Sequence, residues 1–207
     1  MRMGITGQDA LIVVDVQSDF CPGGALPVPG GDAVIPVILS VARRFEHVLL
    51  TQDWHPRGHC SFASSHPGRK PFDLDPVTGE RLWPDHCVQG TRGAELHPAL
   101  RLPGADLILR KGFRREVDSY SAFFENDHTT PTGLAGYARE RGFRRFFFAG
   151  LAYDFCVGFS ALDARRCGLD AVVIRDACRG IDADGSMAAM EAELARAGVA
   201  AIESQNL

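Results

Sequence analysis

Apolar residues along the chain fall into short runs with the composition of buried strands, over residues 10–16, 47–51, 106–110, 143–149, 170–174 and 199–202. Several of them, such as Leu11-Ile-Val-Val14 and Phe146-Phe-Phe-Ala149, are continuous and not alternating, the pattern of a strand covered on both faces. Between the runs the spacing turns helical. Val34, Val37, Ile38, Val41 and Phe45 form one stripe behind Gly30-Gly31-Asp32, with Asp32 as N-cap and Pro36 in the first turn. Further helices are predicted over 131–141, 156–167 and 184–197, the last with Met187, Met190 and Leu194 on one face. Strand-helix alternation of this kind predicts an α/β fold, a single-domain doubly wound sandwich over 1–207 with a six-stranded parallel sheet. The segment from about 53 to 103 breaks the rhythm. It holds both tryptophans and five of the seven histidines without any long periodic element, and a structureless stretch that long in a compact domain is generally functional.

Composition narrows the function. With 45% hydrophobic and 23% charged residues the chain can build an ordinary core without staples. A net charge of -4, with no run of like charges, argues against nucleic acid or an anionic membrane as partner. The apolar runs fall far short of the roughly 20 residues of a membrane span, and Asp15 directly behind the first run is unlike a secretory leader. Six cysteines then read as reduced thiols in a cytoplasmic chain, each a buried small hydrophobe, a ligand or a nucleophile. Gly23-Gly24 and Gly30-Gly31 do not follow a strand as a dinucleotide fingerprint would, and they read as turns.

In an open parallel sheet the carboxyl ends of the strands face one crevice, where ligands bind. Asp15, Asp53 with His55, Lys111 and Cys156 all stand at or just after such ends. Cys156 opens a helix after Gly150-Leu-Ala-Tyr-Asp-Phe, where a helix N-terminus and the Lys111 ammonium could lower a thiol pKa toward a neutral-pH thiolate. Asp15 beside that thiol would raise it again, so a cation is needed for the pair to share charge. Taken singly, the three residues also fit a buried thiol, a salt-bridge carboxylate and a lysine that reaches solvent. A second constellation joins Asp53 and His55, which share one side of an extended segment, to His86 returning from the long loop. One carboxylate and two imidazoles suit zinc, iron or manganese and leave positions open. His59 and Asp85 are additional candidates as ligands or supports. Phe20 and Trp83 flank both sets and suit either the walls around a flat ligand or core packing.

The ordered segments Val14-Asp-Val-Gln-Ser-Asp-Phe20, Gln52-Asp-Trp-His-Pro-Arg-Gly-His-Cys-Ser-Phe62, Trp83-Pro-Asp-His-Cys-Val-Gln-Gly-Thr91, Lys111-Gly112, Asp118-Ser-Tyr-Ser-Ala-Phe-Phe124 and Gly150-Leu-Ala-Tyr-Asp-Phe-Cys-Val157 resemble the nicotinamidases of the isochorismatase-like cysteine hydrolases. The resemblance runs over about residues 9 to 205. It implies the isochorismatase-like hydrolase fold, an Asp15-Lys111-Cys156 triad, and one divalent metal, zinc ahead of iron or manganese, on Asp53, His55 and His86. It also implies an oxyanion hole from the backbone N–H groups of Ala152 and Cys156 after a cis peptide, and substrate contacts from Phe20, Trp83 and Tyr120. The partner it implies is a small amide, and a homo-oligomer is compatible with it. In that chemistry Asp15 takes the thiol proton and Cys156 adds to the carboxamide carbon of nicotinamide. Ammonia then leaves, and water hydrolyses the nicotinoyl thioester with help from the metal. Phe155 and Cys60 depart from the pattern of some members. The alternative within the superfamily is an amidohydrolase for an N-carbamoyl, ureidoacrylate or maleamate-type amide. An iron oxygenase using two histidines and a carboxylate would call for a strand-rich barrel, and a binding or scaffold protein would have no use for a triad at three strand ends.

Overall fold

The computed structural model describes residues 3–207. Six parallel strands, β1 (Asp9–Val14), β2 (His47–Asp53), β3 (Leu107–Lys111), β4 (Arg145–Leu151), β5 (Asp170–Arg179) and β6 (Ala200–Ile202), form one sheet in the order β3-β2-β1-β4-β5-β6. The chain reverses its direction of travel across the sheet between β1 and β4, the place where a doubly wound sheet opens a crevice. Helix α1 (Val34–Ala42) covers one face, and α2 (Leu134–Arg141), α3 (Gly158–Arg166) and α4 (Ser186–Arg196) pack on the other.

The continuous apolar run of β1 is explained by this sandwich. Leu11 and Val13 point into the core under α1, whereas Ala10, Ile12 and Val14 point into the core under the other three helices, and all five are buried. Between β1 and β4 the backbones come so close at Gly150, which has φ +122°, that a Cβ there would stand 2.1 Å from the Val14 carbonyl oxygen. Only glycine fits.

Local differences from the sequence pattern have local causes. Asp32 makes no side-chain cap; it lies in a single tight turn, Gly31–Ala33, and α1 starts at Val34. Helix α2 starts late because Pro131 pairs with Phe124 in an isolated bridge. Strand β5 runs on past Ile174 through Arg175 and Asp176, which find partners: Arg175 donates to the Tyr153 hydroxyl, and Asp176 accepts from Ser204. Residues 54–96 are tied down by short turns and isolated bridges such as His55 to Val88, Phe62 to Trp83 and Gln17 to Leu96, and the chain then returns to the opposite end of the sheet, where the Asp106 N–H donates to the Val48 carbonyl before β3. No helix among the described residues is long and apolar enough to cross a membrane. All six cysteines are free thiols.

Candidate active site

Asp15 follows β1 and Cys156 follows β4, so the two flank the topological switch. Asp53 ends β2 and Lys111 ends β3, paired directly across the ladder. Parallel strands in register thus deliver an acid, a second acid and an ammonium to one point, and a turn of π-helix (Tyr153–Val157) leading into α3 brings the thiol. That turn replaces the regular first helical turn expected from the sequence.

Lys111 is fully buried. Its Nζ donates to Asp53 Oδ1 at 2.5 Å, the Ser119 carbonyl at 2.8 Å and Cys156 Sγ at 3.4 Å, and stands 2.9 Å from Asp15 Oδ2. Burial alone would discharge such an amine, but Asp15 and Asp53 hold it well above its ordinary pKa, so it stays a cation. Burial likewise works against the Asp53 carboxylate, yet Lys111 and His55 keep it well below the usual range. Asp15 goes the other way, because its burial outweighs the attraction of Lys111 and raises it. Burial also pushes the Cys156 thiol well above its ordinary value, helped by Asp15 and Asp53 and opposed by Lys111. The two shifts share a cause: burial favours the neutral forms of both Cys156 and Asp15, and Lys111 opposes it at both.

The Leu151–Ala152 peptide is cis, as the resemblance implied. Ala152 and Cys156 line one pocket together with Phe20, Trp83, Tyr120 and Phe155, and Asp53, His55 and His86 line it too. Trp83 meets Phe155 edge to face at 4.9 Å between centroids, and the Trp83 indole N–H donates to the Tyr120 hydroxyl at 3.1 Å. The result is a slot with aromatic walls.

Asp53, His55 and His86 meet the demands of a metal site. His55 Nδ1 bonds the Gly112 carbonyl at 2.9 Å and His86 Nδ1 bonds the Pro84 carbonyl at 2.8 Å. Both Nδ1 atoms must therefore carry the hydrogen, which leaves the two Nε2 lone pairs free. These point at the same oxygen, Asp53 Oδ2, from 3.3 and 3.6 Å. Ligand atoms on adjacent vertices of a tetrahedral ion with bonds of about 2.1 Å lie about 3.4 Å apart, so the three atoms are spaced for one. Gly112, with φ +63°, is needed here, because a Cβ would meet His55 Cε1 at 2.5 Å. The additional candidates have other partners here, although His59 also shares with His55 and Asp118 a second group of atoms close enough for one ion. His59 is engaged on both nitrogens, by Ser61 Oγ and the Val117 carbonyl, and burial beside His55 lowers it to about 4. Asp85 is exposed and bound by Ser64.

Sequence reasoning missed several supports. Gln17 clamps the backbone of Asp53, donating from Nε2 to its carbonyl and accepting its N–H at Oε1, both at 2.8 Å. Thr51 binds Asp15, and the buried carboxylate of Asp118 lines the pocket. A polar residue inside the apolar run of β2 was the available signal for Thr51.

A family model described as the isochorismatase domain matches residues 9–205. The nicotinamidase of Acinetobacter baylyi (strain ATCC 33305 / BD413 / ADP1) is 52% identical over 209 residues, covering 100% of this chain and 98% of that protein. Among solved structures, PnC1 from L. infantum in complex with nicotinate is similar with a TM-score of 0.87 at 41% identity, over 100% of this chain and 98% of its own. The pyrazinamidase of Pyrococcus horikoshii in complex with zinc is similar with a TM-score of 0.78 at 36% identity, over 95% and 99%. With residues 9–205 of this chain matched by the domain and relatives at this identity, the chain belongs to the isochorismatase family.

Proposed function

We propose that this chain is an amidohydrolase that converts nicotinamide and water to nicotinate and ammonia through a thioester on Cys156. The observation that carries this reading is the buried Lys111 ammonium, in reach of Asp15, Asp53 and Cys156 at once, with Asp53 and Cys156 lining an aromatic slot. The relatives named for nicotinamidase activity and for a nicotinate complex support the choice of substrate.

In the reaction Asp15 removes the Cys156 proton as the sulfur adds to the carboxamide carbon. The backbone N–H groups of Ala152 and Cys156 hold the developing oxyanion, and Lys111 keeps the negative charge of Asp15 and the sulfur tolerable in a dry site. Asp15 then passes its proton to the nitrogen, and ammonia leaves. A water attacks the acyl carbon, Asp15 takes a proton from it, and the C–S bond breaks to release nicotinate and restore the thiol. Phe20, Trp83 and Tyr120 orient the ring and exclude bulk water. Asp53, His55 and His86 would hold one divalent ion, which would supply a Lewis-acidic position for the ring nitrogen of the substrate. Zinc fits that donor set and accompanies the P. horikoshii relative, and iron and manganese suit it as well. In this reading segment 53–103 is the metal- and substrate-binding part of a single isochorismatase-like unit over 1–207. Six free thiols suit a reducing, cytoplasmic setting.

Benzamide has the shape and the carboxamide of nicotinamide but no ring nitrogen. A site that binds a heteroatom rejects an analogue lacking it by about 10⁴-fold, whereas an apolar slot discriminates by about 10- to 200-fold. Ammonia release should therefore show a kcat/KM for nicotinamide far above that for benzamide. Comparable values for the two, or full activity after chelation, would overturn the assignment.

A further inference from the structure

We propose that Thr51 is a positioning residue for this hydrolysis, which selects the carboxylate oxygen of Asp15 that receives the thiol proton; the inference rests on the amidohydrolase reading above. Thr51 lies on β2, beside the end of β1, and is buried. Its hydroxyl touches Asp15 twice. Oγ1 accepts the Asp15 backbone N–H at 3.1 Å and stands 2.6 Å from Asp15 Oδ1. A hydroxyl has one hydrogen to give. Since the backbone N–H can only donate, the hydrogen of Thr51 goes to Oδ1, which marks that oxygen as an acceptor already in use.

Oδ2 is then left for the thiol. Among the described residues it is a buried oxygen with no partner in hydrogen-bonding geometry, although Lys111 Nζ stands 2.9 Å away. The carboxylate of Asp15 and the sulfur of Cys156 present atoms within 4.8 Å of each other. This oxygen is buried, has the Lys111 ammonium as its charged neighbour and belongs to a carboxylate beside the nucleophile, so it is the one whose lone pair remains for the thiol proton. Asp15 also has φ +46°, off the extended line of its strand, and the bond to Thr51 Oγ1 holds its backbone N–H in that turn. One hydroxyl therefore fixes both the backbone and the carboxylate plane of the base.

The test is a series at this position. Thr51→Val keeps the shape and removes the hydroxyl, and Thr51→Ser restores the hydroxyl without the methyl. A misplaced base of this kind should cost about 10- to 100-fold, read as a lower kcat for nicotinamide with KM within about twofold, and Thr51→Ser should recover most of it. Iodoacetamide labelling at pH 7, mapped by mass to Cys156, needs no substrate and should slow in Thr51→Val by a similar factor. Labelling thus separates failure of this inference from failure of the substrate assignment: a wild type inactive on nicotinamide sinks the assignment, while the labelling series still judges Thr51. If Thr51→Val does not fold, Thr51→Ala takes its place. A kcat and labelling rate within twofold of wild type, or Thr51→Ser as impaired as Thr51→Val, would show a merely structural hydroxyl and overturn the proposal.

Discussion

Asp15, Asp53 and Lys111 reach the site from neighbouring ends of one parallel ladder, whereas Phe20, Trp83 and His86 reach it from loops with no strand behind them. On the ladder side, backbone register does the positioning: Asp53 and Lys111 are partners across β2 and β3, and no ligand is needed to bring them together. On the loop side, position comes from scattered bonds. Asp19 Oδ2 accepts the Cys87 N–H at 2.8 Å, the Trp83 N–H donates to the Ser61 carbonyl at 2.8 Å, and His86 leans on the Pro84 carbonyl. The sheet can carry groups that must be right to a fraction of an ångström, and the loop side leaves its last adjustment to whatever it binds. Damage to the two sides should therefore look different.

The largest effect should follow Lys111→Met. The change leaves Asp15 and Asp53 buried beside each other without their cation, and losing one partner of a buried ion cluster costs about 3–5 kcal/mol. Urea unfolding should show that loss, and ammonia release should fall by about 10³-fold or more, since an uncompensated charge opposes every ionic step. A variant that keeps a tenth of wild-type turnover would mean that the ladder side is not where the chemistry happens.

His86→Ala should break the loop side and spare the fold. Zinc at 100 times its Kd should stabilise the wild type by about 2.7 kcal/mol, seen as a rise in Tm on titration, and His86→Ala should lose that rise. Without zinc the two proteins should melt within a few degrees of each other. An undiminished zinc response in His86→Ala would remove His86 from the ligand set.

The smallest effect belongs to the opposite end of the sheet, and it serves as the control. Asp9 and Arg145 are partners across β1 and β4, with Nε to Oδ1 at 2.8 Å and Nη2 to Oδ2 at 2.7 Å. Burial works against the Asp9 carboxylate, but the bonds from Arg145 and Thr6 hold it below its ordinary value. A depressed carboxyl contributes stability that is complete above the unfolded value of about 4 and vanishes as pH falls through the folded one. Asp9→Asn should thus cost about 1–3 kcal/mol at pH 7, progressively less below pH 4, and leave kcat/KM unchanged. A change in turnover would mean that the two ends of the sheet are not independent.

The same contrast decides what could be read from the chain beforehand. The strands, the sheet and the strand-end residues were legible because burial on both faces writes a continuous apolar run, as in β1, and because strand ends share one edge. Strand β5 past Ile174 was not, since Arg175 and Asp176 are polar and their partners Tyr153 and Ser204 lie far along the chain. The metal donors were visible as residue types, but their aim was not. It depends on the carbonyls of Gly112 and Pro84, which no side-chain pattern reports. The burial that raises Cys156 was not legible for a related reason, because desolvation is set by packing around the sulfur and not by its neighbours in sequence.

Asp53 belongs to both sides. Its Oδ1 accepts from Lys111, while its Oδ2 is the oxygen that His55 and His86 face, and Gln17 holds the backbone beneath. A single carboxylate shared in this way makes the two halves thermodynamically linked, and linkage is reciprocal. If an ion on Oδ2 alters the affinity of the thiol end for a ligand by some factor, occupancy of the thiol end alters ion affinity by the same factor. A covalent adduct on Cys156 would then be legible as a shifted zinc dissociation constant, although the sulfur never touches the ion.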